Sequence, residues 1–301
     1  MTHLSEMHAE MIREISEQRS REMAELISEK KAASRVAEER EKKALKDLQS
    51  AGIDTAKIAG INAGISADAE REIVEIEARL NQQSQESAFS ADFDPSPAFQ
   101  PSDTVMLTPA WVGAFSDNAL DDNLTDASEV SSQTLLSGGG CKDYYNWAKG
   151  AGSGNFGTGV GKIQSWIDFG FWFRPPQSRF YSVRPLFRYR GYYIVKADDG
   201  FFTSKYARTI VSAWTNVHQY NWKGWNHVNV LDVGDDNINI NRRFDADRYT
   251  YNSYLLGAGD WAYIQCTIGL YAYARGSGSY TKNDFATGNA NYLCVPHCYV
   301  I

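Results

Sequence analysis

Phenylalanine, tryptophan and tyrosine are absent from the first 88 of the 301 residues, and no proline occurs before Pro95. Residues 3–50 also lack glycine, so no helix breaker interrupts them. Cysteine is scarce: Cys141, Cys266, Cys294 and Cys298 are too few and too scattered for a disulfide scaffold. No secretory signal is visible at the N-terminus, so the four are expected to be reduced, buried thiols made in the cytoplasm. No apolar run approaches a membrane span, and mean hydropathy is −0.44. A net charge of −7, divided as −4 over residues 1–83 and −3 over the rest, argues against general affinity for nucleic acid or anionic membrane.

What is present is unevenly placed. Of 39 aromatic residues, 36 lie between positions 105 and 301. The split points to two physically different modules and argues against one continuous enzyme core.

Residues 1–83 are rich in Glu, Lys, Arg, Ala, Met and Leu, and pairs such as Glu17–Arg21 and Glu38–Lys42 place acid four residues before base. Heptads put charges in the seam, whereas an eleven-residue repeat does not. One column reads Leu4, Ile15, Leu26, Ala37, Leu48, and a second includes Ile12, Met23 and Leu45. The third column, His8, Arg19, Lys30, Glu41, is polar throughout. So narrow an apolar stripe requires a partner, which predicts a coiled-coil-like oligomerisation stalk, with a trimer as first choice. Between residues 51 and 66, Ala56, Gly60 and Gly64 recur at a spacing of four, which permits close helix approach. Two arrangements compete there: a hairpin turning at Gly52, or one rod to about Gln83, and the rod is preferred. A helix lying on a membrane surface is disfavoured, because the polar face mixes Glu and Lys and carries no aromatic anchor. Residues 84–104 form a polar linker with three prolines and Phe89, Phe93 and Phe99.

From residue 105 the period becomes two. In WAYIQCTIGLYAYAR (261–275), Ala262, Ile264, Cys266, Ile268, Leu270, Ala272 and Ala274 share one face. Similar runs at 164–174, 186–197, 208–218, 225–233, 236–242, 249–256 and 291–301 are punctuated by Asp/Gly turns. They predict a β-sandwich head of jelly-roll type over 105–301, with an irregular, glycine-rich start at 105–159.

Few motifs carry chemistry. GSGNFG (152–157) matches a dinucleotide pattern but precedes a β-like run instead of a helix, and GTGVGKI lacks the P-loop hydroxyl. Asp168-Phe169-Gly170 has no kinase context. Cys294 and Cys298 would stand about 13 Å apart in an extended strand, too far to share an ion. Asp232, Asp235 and Asp236 are a weak Ca²⁺ candidate. No nucleophile–base or carboxylate pair stands out, so neither an enzyme nor a cofactor is expected. Two clusters suit binding. Arg184, Arg188 and Arg190 lie in a stretch free of acids from Phe169 to Ala197, and Arg188 and Arg190 should share a strand face. They would hold an anionic group, or pair with acidic turns such as Asp198–Asp199 across a subunit interface. Tyr220, Trp222 and Trp225 crowd a short loop suited to a sugar or a partner.

The expected protein is a non-enzymatic homo-oligomer, without a small cofactor, whose stalk anchors it and whose head binds a surface glycan or anionic group. In broad plan it is similar to fibre and receptor-binding proteins of phages or injection particles, which implies a virion or particle partner for the N-terminal helix. The alternatives are a structural shell or scaffold protein, and a glycan-acting enzyme or toxin with a helical targeting region.

Overall fold

The computed structural model describes residues 2–86, 104–116, 141–150, 160–197, 205–288 and 290–301. Two helices, α1 (Thr2–Ser50) and α2 (Thr55–Glu86), precede the strands. These are β1 (Val105–Leu107), β2 (Trp111–Ser116), β3 (Cys141–Lys142), β4 (Tyr144–Lys149), β5 (Val160–Phe173), β6 (Arg179–Ala197), β7 (Tyr206–Gln219), β8 (Asn221–Trp222) and β9 (Asn226–Asp235). The chain continues through β10 (Ile238–Tyr249), β11 (Asn252–Leu256), β12 (Ala262–Arg275), β13 (Tyr280–Phe285), β14 (Tyr292–Cys294) and β15 (Cys298–Val300). The linker phenylalanines, the GSGNFG motif and Asp198–Asp199 lie outside the described residues, as do the side chains of Leu4 and Ala37.

The strands make two sheets. The first is organised on β6, whose 19 residues pair with β10 and β11 along one edge and with β15, β14 and β13 along the other. The second runs β2-β5-β12-β7, with β8 and β9 both on the outer edge of β7. Alternation decides which side chains meet between them. From the second sheet come Phe169 and Phe171 of β5, Val211 and Val217 of β7, and Ile264, Ile268 and Leu270 of β12. Tyr181, Val183, Phe187 and Tyr189 of β6 complete the core. The face expected of 261–275 is thus the buried one. The fold is a β-sandwich.

The helices depart from the expected rod. Gly52, at φ 75°, closes α1 in a Schellman turn: Ile53 N donates to Leu48 O at 3.0 Å and Gly52 N to Gln49 O at 3.0 Å. Asp54 then caps α2, accepting from Lys57 N at 3.0 Å. A glycine able to adopt positive φ, followed at once by a capping acid, makes the hairpin the better-satisfied backbone.

The two arms diverge and take opposite sides of the sandwich. Met11, Ile12 and Ile15 of α1 pack on Trp111, Tyr263, Trp172 and Trp222 of the second sheet. Ile73, Ile76 and Leu80 of α2 pack on Tyr192, Ile194, Tyr280 and Trp147 of the first. The N-terminal part of the apolar stripe therefore finds its partner within its own chain: Ile12 and Ile15 pack on the second sheet and Met23 is buried, while Leu26, Leu45 and Leu48 are half-buried. This corrects the expectation of a free stalk, because a β-sheet with an aromatic outer side covers an aliphatic stripe as well as another helix would.

Cysteine is corrected too. Cys141 of β3 lies directly across from Cys294 of β14, and the two are joined by a disulfide despite a sequence separation of 153. Cys266 and Cys298 are free and buried.

Candidate functional site

β8 and β9 are two parts of one strand alongside β7, interrupted where the chain bulges outward. His218 pairs with Trp222 and Thr215 with Asn226, so two residues of β7 stand opposite Lys223, Gly224 and Trp225. In an unbroken strand, side chains three apart would point to opposite sides. The extra residue returns Trp225 to the side of Trp222, and Gly224 absorbs the geometry at φ 112°. The turn is pinned from beneath: Asn216 Oδ1 accepts from Gly224 N at 2.9 Å, and Val217 O accepts from Lys223 N at 2.9 Å. Tyr220, itself at φ 66°, donates its hydroxyl to Asp260.

The result is a continuous aromatic surface. Trp222 and Trp225 are near-parallel, 13° between planes with centroids 6.4 Å apart. Trp225 meets Trp214 edge-on at 6.0 Å, Trp214 meets His227 at 4.3 Å, and His218 meets Trp222 at 5.2 Å. Trp225 is 39% exposed. Polar groups border the rings. Trp214 Nε1 donates to Ser212 Oγ at 2.6 Å, and His227 Nε2 lies 3.1 Å from Asn229 Oδ1. Arg208 grips Asp232 through two hydrogen bonds of 2.9 and 2.8 Å, and the hydrogen bonds and charge of Arg208 hold that carboxylate below its usual range. Burial lowers the pKa of His218, favouring the neutral ring.

Helix α1 forms the opposite wall. Trp222 Nε1 donates to Glu14 Oε1 at 3.1 Å, and Trp172 Nε1 donates to His8 Nδ1 at 2.7 Å. Deeper in, Arg19 makes bonds of 2.9 and 3.0 Å to Asp168, one of 2.7 Å to Glu22, and stacks over Trp166 at 5.2 Å. Gln265 and Thr267 also donate to Asp168. Burial opposes the charge on Arg19, but Asp168 and Glu22 outweigh it and raise its pKa. His8, Arg19 and Lys30, read from sequence as the polar column of the repeat, are among the residues that α1 turns away from solvent.

Of the residues singled out by sequence, Trp222 and Trp225 assemble here, while Tyr220, on the adjoining turn, reaches Asp260. Arg184, Arg188 and Arg190 lie on the outer side of the first sheet, across the sandwich. Arg188 and Arg190 do share a strand side, and both reach Asp247 of β10, at 3.0 and 2.7 Å. Their partner is thus within the chain. The calcium candidate does not assemble: Asp232 is committed to Arg208, while Asp235 Oδ1 accepts from Asp236 N at 2.7 Å. Alternation along β9 separates Asp232 and Asp235, and no metal-capable group of three acids, His or Cys occurs among the described residues. Cys294 is spent in the disulfide and Cys298 faces the core, which disposes of a shared ion there. Sequence reading missed Trp214 and His227, although Trp214 alternates in step with His218. It also missed Asp168 and Arg19, which are 149 positions apart.

No protein-family model matches the chain, and no curated protein matches it. Among solved structures, the carbohydrate-binding module TmCBM61, in complex with β-1,4-galactotriose, is similar at 8% identity and a TM-score of 0.17, over 54% of this chain and 86% of that one. A structure described as CBM4 is similar at 11% identity and a TM-score of 0.16, over 47% of this chain and 88% of that one. An isomalto-dextranase of Arthrobacter globiformis T6, complexed with panose, shares 12% identity at a TM-score of 0.15, over 65% of this chain and 32% of that one. Scores this low carry no argument about ligand or activity, so the functional reading rests on the site itself.

Proposed function

We propose that the sandwich is a non-catalytic glycan-binding head, and that the bulged aromatic surface is its binding site. One observation carries the reading: a single-residue bulge brings Trp222 and Trp225 onto one side, near-parallel, beside Trp214 and His227. Flat indoles suit the apolar C–H faces of pyranose rings, while Asn229, Asp232 and Arg208 supply donors and acceptors for hydroxyls. Covering one face of an indole removes on the order of 100 Å² from water, about 2 kcal/mol. A shallow site of this kind binds weakly alone, so repeated copies would strengthen it.

Self-association through residues 31–64 belongs to the same reading, as does attachment to a particle. There Gly60 and Gly64 face open space, and Ile53 and Ile61 are exposed. The Cys141–Cys294 disulfide fits final residence in an oxidising setting, a particle surface included.

A glycan array followed by calorimetry on the full chain tests the site. Trp225→Ala should weaken the best neutral glycan at least about 10-fold, the share expected of one indole face. Absence of any neutral-glycan binding, or binding indifferent to Trp225→Ala, would sink the proposal. Light scattering tests the association: a monomer at high concentration removes it.

A further inference from the structure

The outer side of the first sheet offers a second, chemically different surface. It reads Tyr251, in the turn between β10 and β11, then Arg184 of β6, then Tyr299 of β15, the last two in direct register. The Arg184 guanidinium lies 4.7 Å from the Tyr251 ring centroid, and its Nε donates to Ser182 Oγ at 3.2 Å. Arg19, Arg188, Arg190, Arg208 and Arg243 each reach a carboxylate. Arg184 makes no such ion pair among the described residues.

The surroundings favour negative charge. Ser182 of β6 lies opposite Ser253 of β11. Ser182 accepts from Arg184 Nε, and Ser182, Ser253 and Arg184 together lower the pKa of the Tyr251 phenol beside them. Flat rings flank the cation. Tyr249 and Tyr251 are 56% and 58% exposed, and the His297 ring, 6.3 Å from Tyr249 and 4.5 Å from Tyr299, links those two rings. Phe180 and Leu255, an exposed cross-strand pair, extend the apolar border. Helix α2 docks on another part of this side, its last contacts reaching Arg243 and Gly288.

From this juxtaposition we infer that Arg184, with Ser182, Ser253, Tyr251 and Tyr299, forms a site for an oxyanion, sulfate or carboxylate, carried on a saccharide. The guanidinium and hydroxyls hold the oxyanion, and the phenols hold the sugar ring that bears it. The site lies across the sandwich from Trp222 and Trp225 and does not depend on the neutral-glycan reading.

Calorimetry of the full chain with dextran sulfate, unsulfated dextran of equal length and inorganic sulfate tests it. Dextran sulfate should bind at least about 10-fold more tightly than dextran, with affinity falling as salt rises. Arg184→Gln should remove that advantage, Arg184→Lys should keep part of it, and Trp225→Ala should leave it intact. Tyr251→Ser, at an exposed position, reports the ring contact without burdening the fold, and should weaken dextran sulfate several-fold. Equal affinity for sulfated and unsulfated dextran, or an advantage that survives Arg184→Gln, overturns the site. Inorganic sulfate binding as tightly as dextran sulfate overturns the saccharide part. Loss of dextran sulfate in Trp225→Ala alone would move the anion to the tryptophan side and overturn it equally.

Discussion

The two sides of the sandwich are each crossed by a helix, but they hold it differently. On the second sheet, α1 is held by one deeply buried ion pair. Arg19 and Asp168 have side chains 7% and 0% exposed, and Glu22, Gln265, Thr267 and Trp166 gather around them. On the first sheet the charges are reversed and dispersed. Glu70, Glu72 and Glu77 of α2 reach Lys149, Lys196 and Lys282, Asn81 accepts from Tyr192, and Glu77 accepts from Tyr280. Most of those acids remain half in water; Glu72 is 46% exposed even though its partner Lys196 is 1% exposed. A concentrated anchor fails all at once, because removing one partner strands the other in low dielectric. A dispersed anchor loses one modest contribution at a time.

The largest effect should come from breaking the concentrated anchor. Arg19→Ala leaves Asp168 buried without its cation and should cost about 3–5 kcal/mol in urea unfolding. Arg19→Met with Asp168→Leu should recover most of that loss. Amide exchange in Arg19→Ala should quicken in α1 and stay unchanged in α2; equal quickening in both would erase the distinction.

Next in size is a pH effect whose largest part comes from His297, beside the first sheet. Burial, with a smaller push from Arg188, lowers His297 to about 4, against the ordinary value of 6.5. Between those values the unfolded chain binds a proton that the folded chain refuses, so stability falls as pH falls from 6.5 towards 4. The loss should reach about 3 kcal/mol, and a His297→Gln variant should flatten that part of the profile. A slope unchanged in the variant would assign the effect elsewhere.

Smaller changes should follow on the dispersed side. Glu70→Gln and Glu77→Gln, whose lysines are part-exposed or keep a second acid, should each cost about 1 kcal/mol or less and add nearly independently. A cost from either that matches Arg19→Ala would show that both anchors are concentrated. Smallest of all, Trp225→Ala should shift unfolding stability by less than about 0.5 kcal/mol, because its ring is a partly exposed bulge residue. A large loss there would recast the aromatic surface as packing.

Much of this was legible beforehand. Apart from the two-residue β8, which was expected to be loop, the strands β5 to β12 fall close to the expected runs, and the buried side of 261–275 is the expected one, because alternation reports directly on which side chains avoid water. The crowding of Tyr220, Trp222 and Trp225 was visible as well, since all three lie within six positions. The common orientation of Trp222 and Trp225 was not, because it depends on a bulge whose register is set by β7. Strands β2, β4 and β13 escaped notice for a related reason: they are short, and their pairing comes from distant partners.

The sequence alone therefore determined which segment is helical, where most of the longer strands lie, and which residues are apolar; the turn at Gly52 and the cap at Asp54 were settled only in the folded chain. Only the tertiary structure decided what covers the stripe of α1, and that Arg19 meets Asp168 and Arg188 meets Asp247. It also decided that Cys141 meets Cys294. Periodicity is a local property of the chain, but the occupant of an apolar stripe and the partner of a charge are set by packing between segments far apart in sequence. The first can be counted along the residues; the second exists only after the sheets have formed.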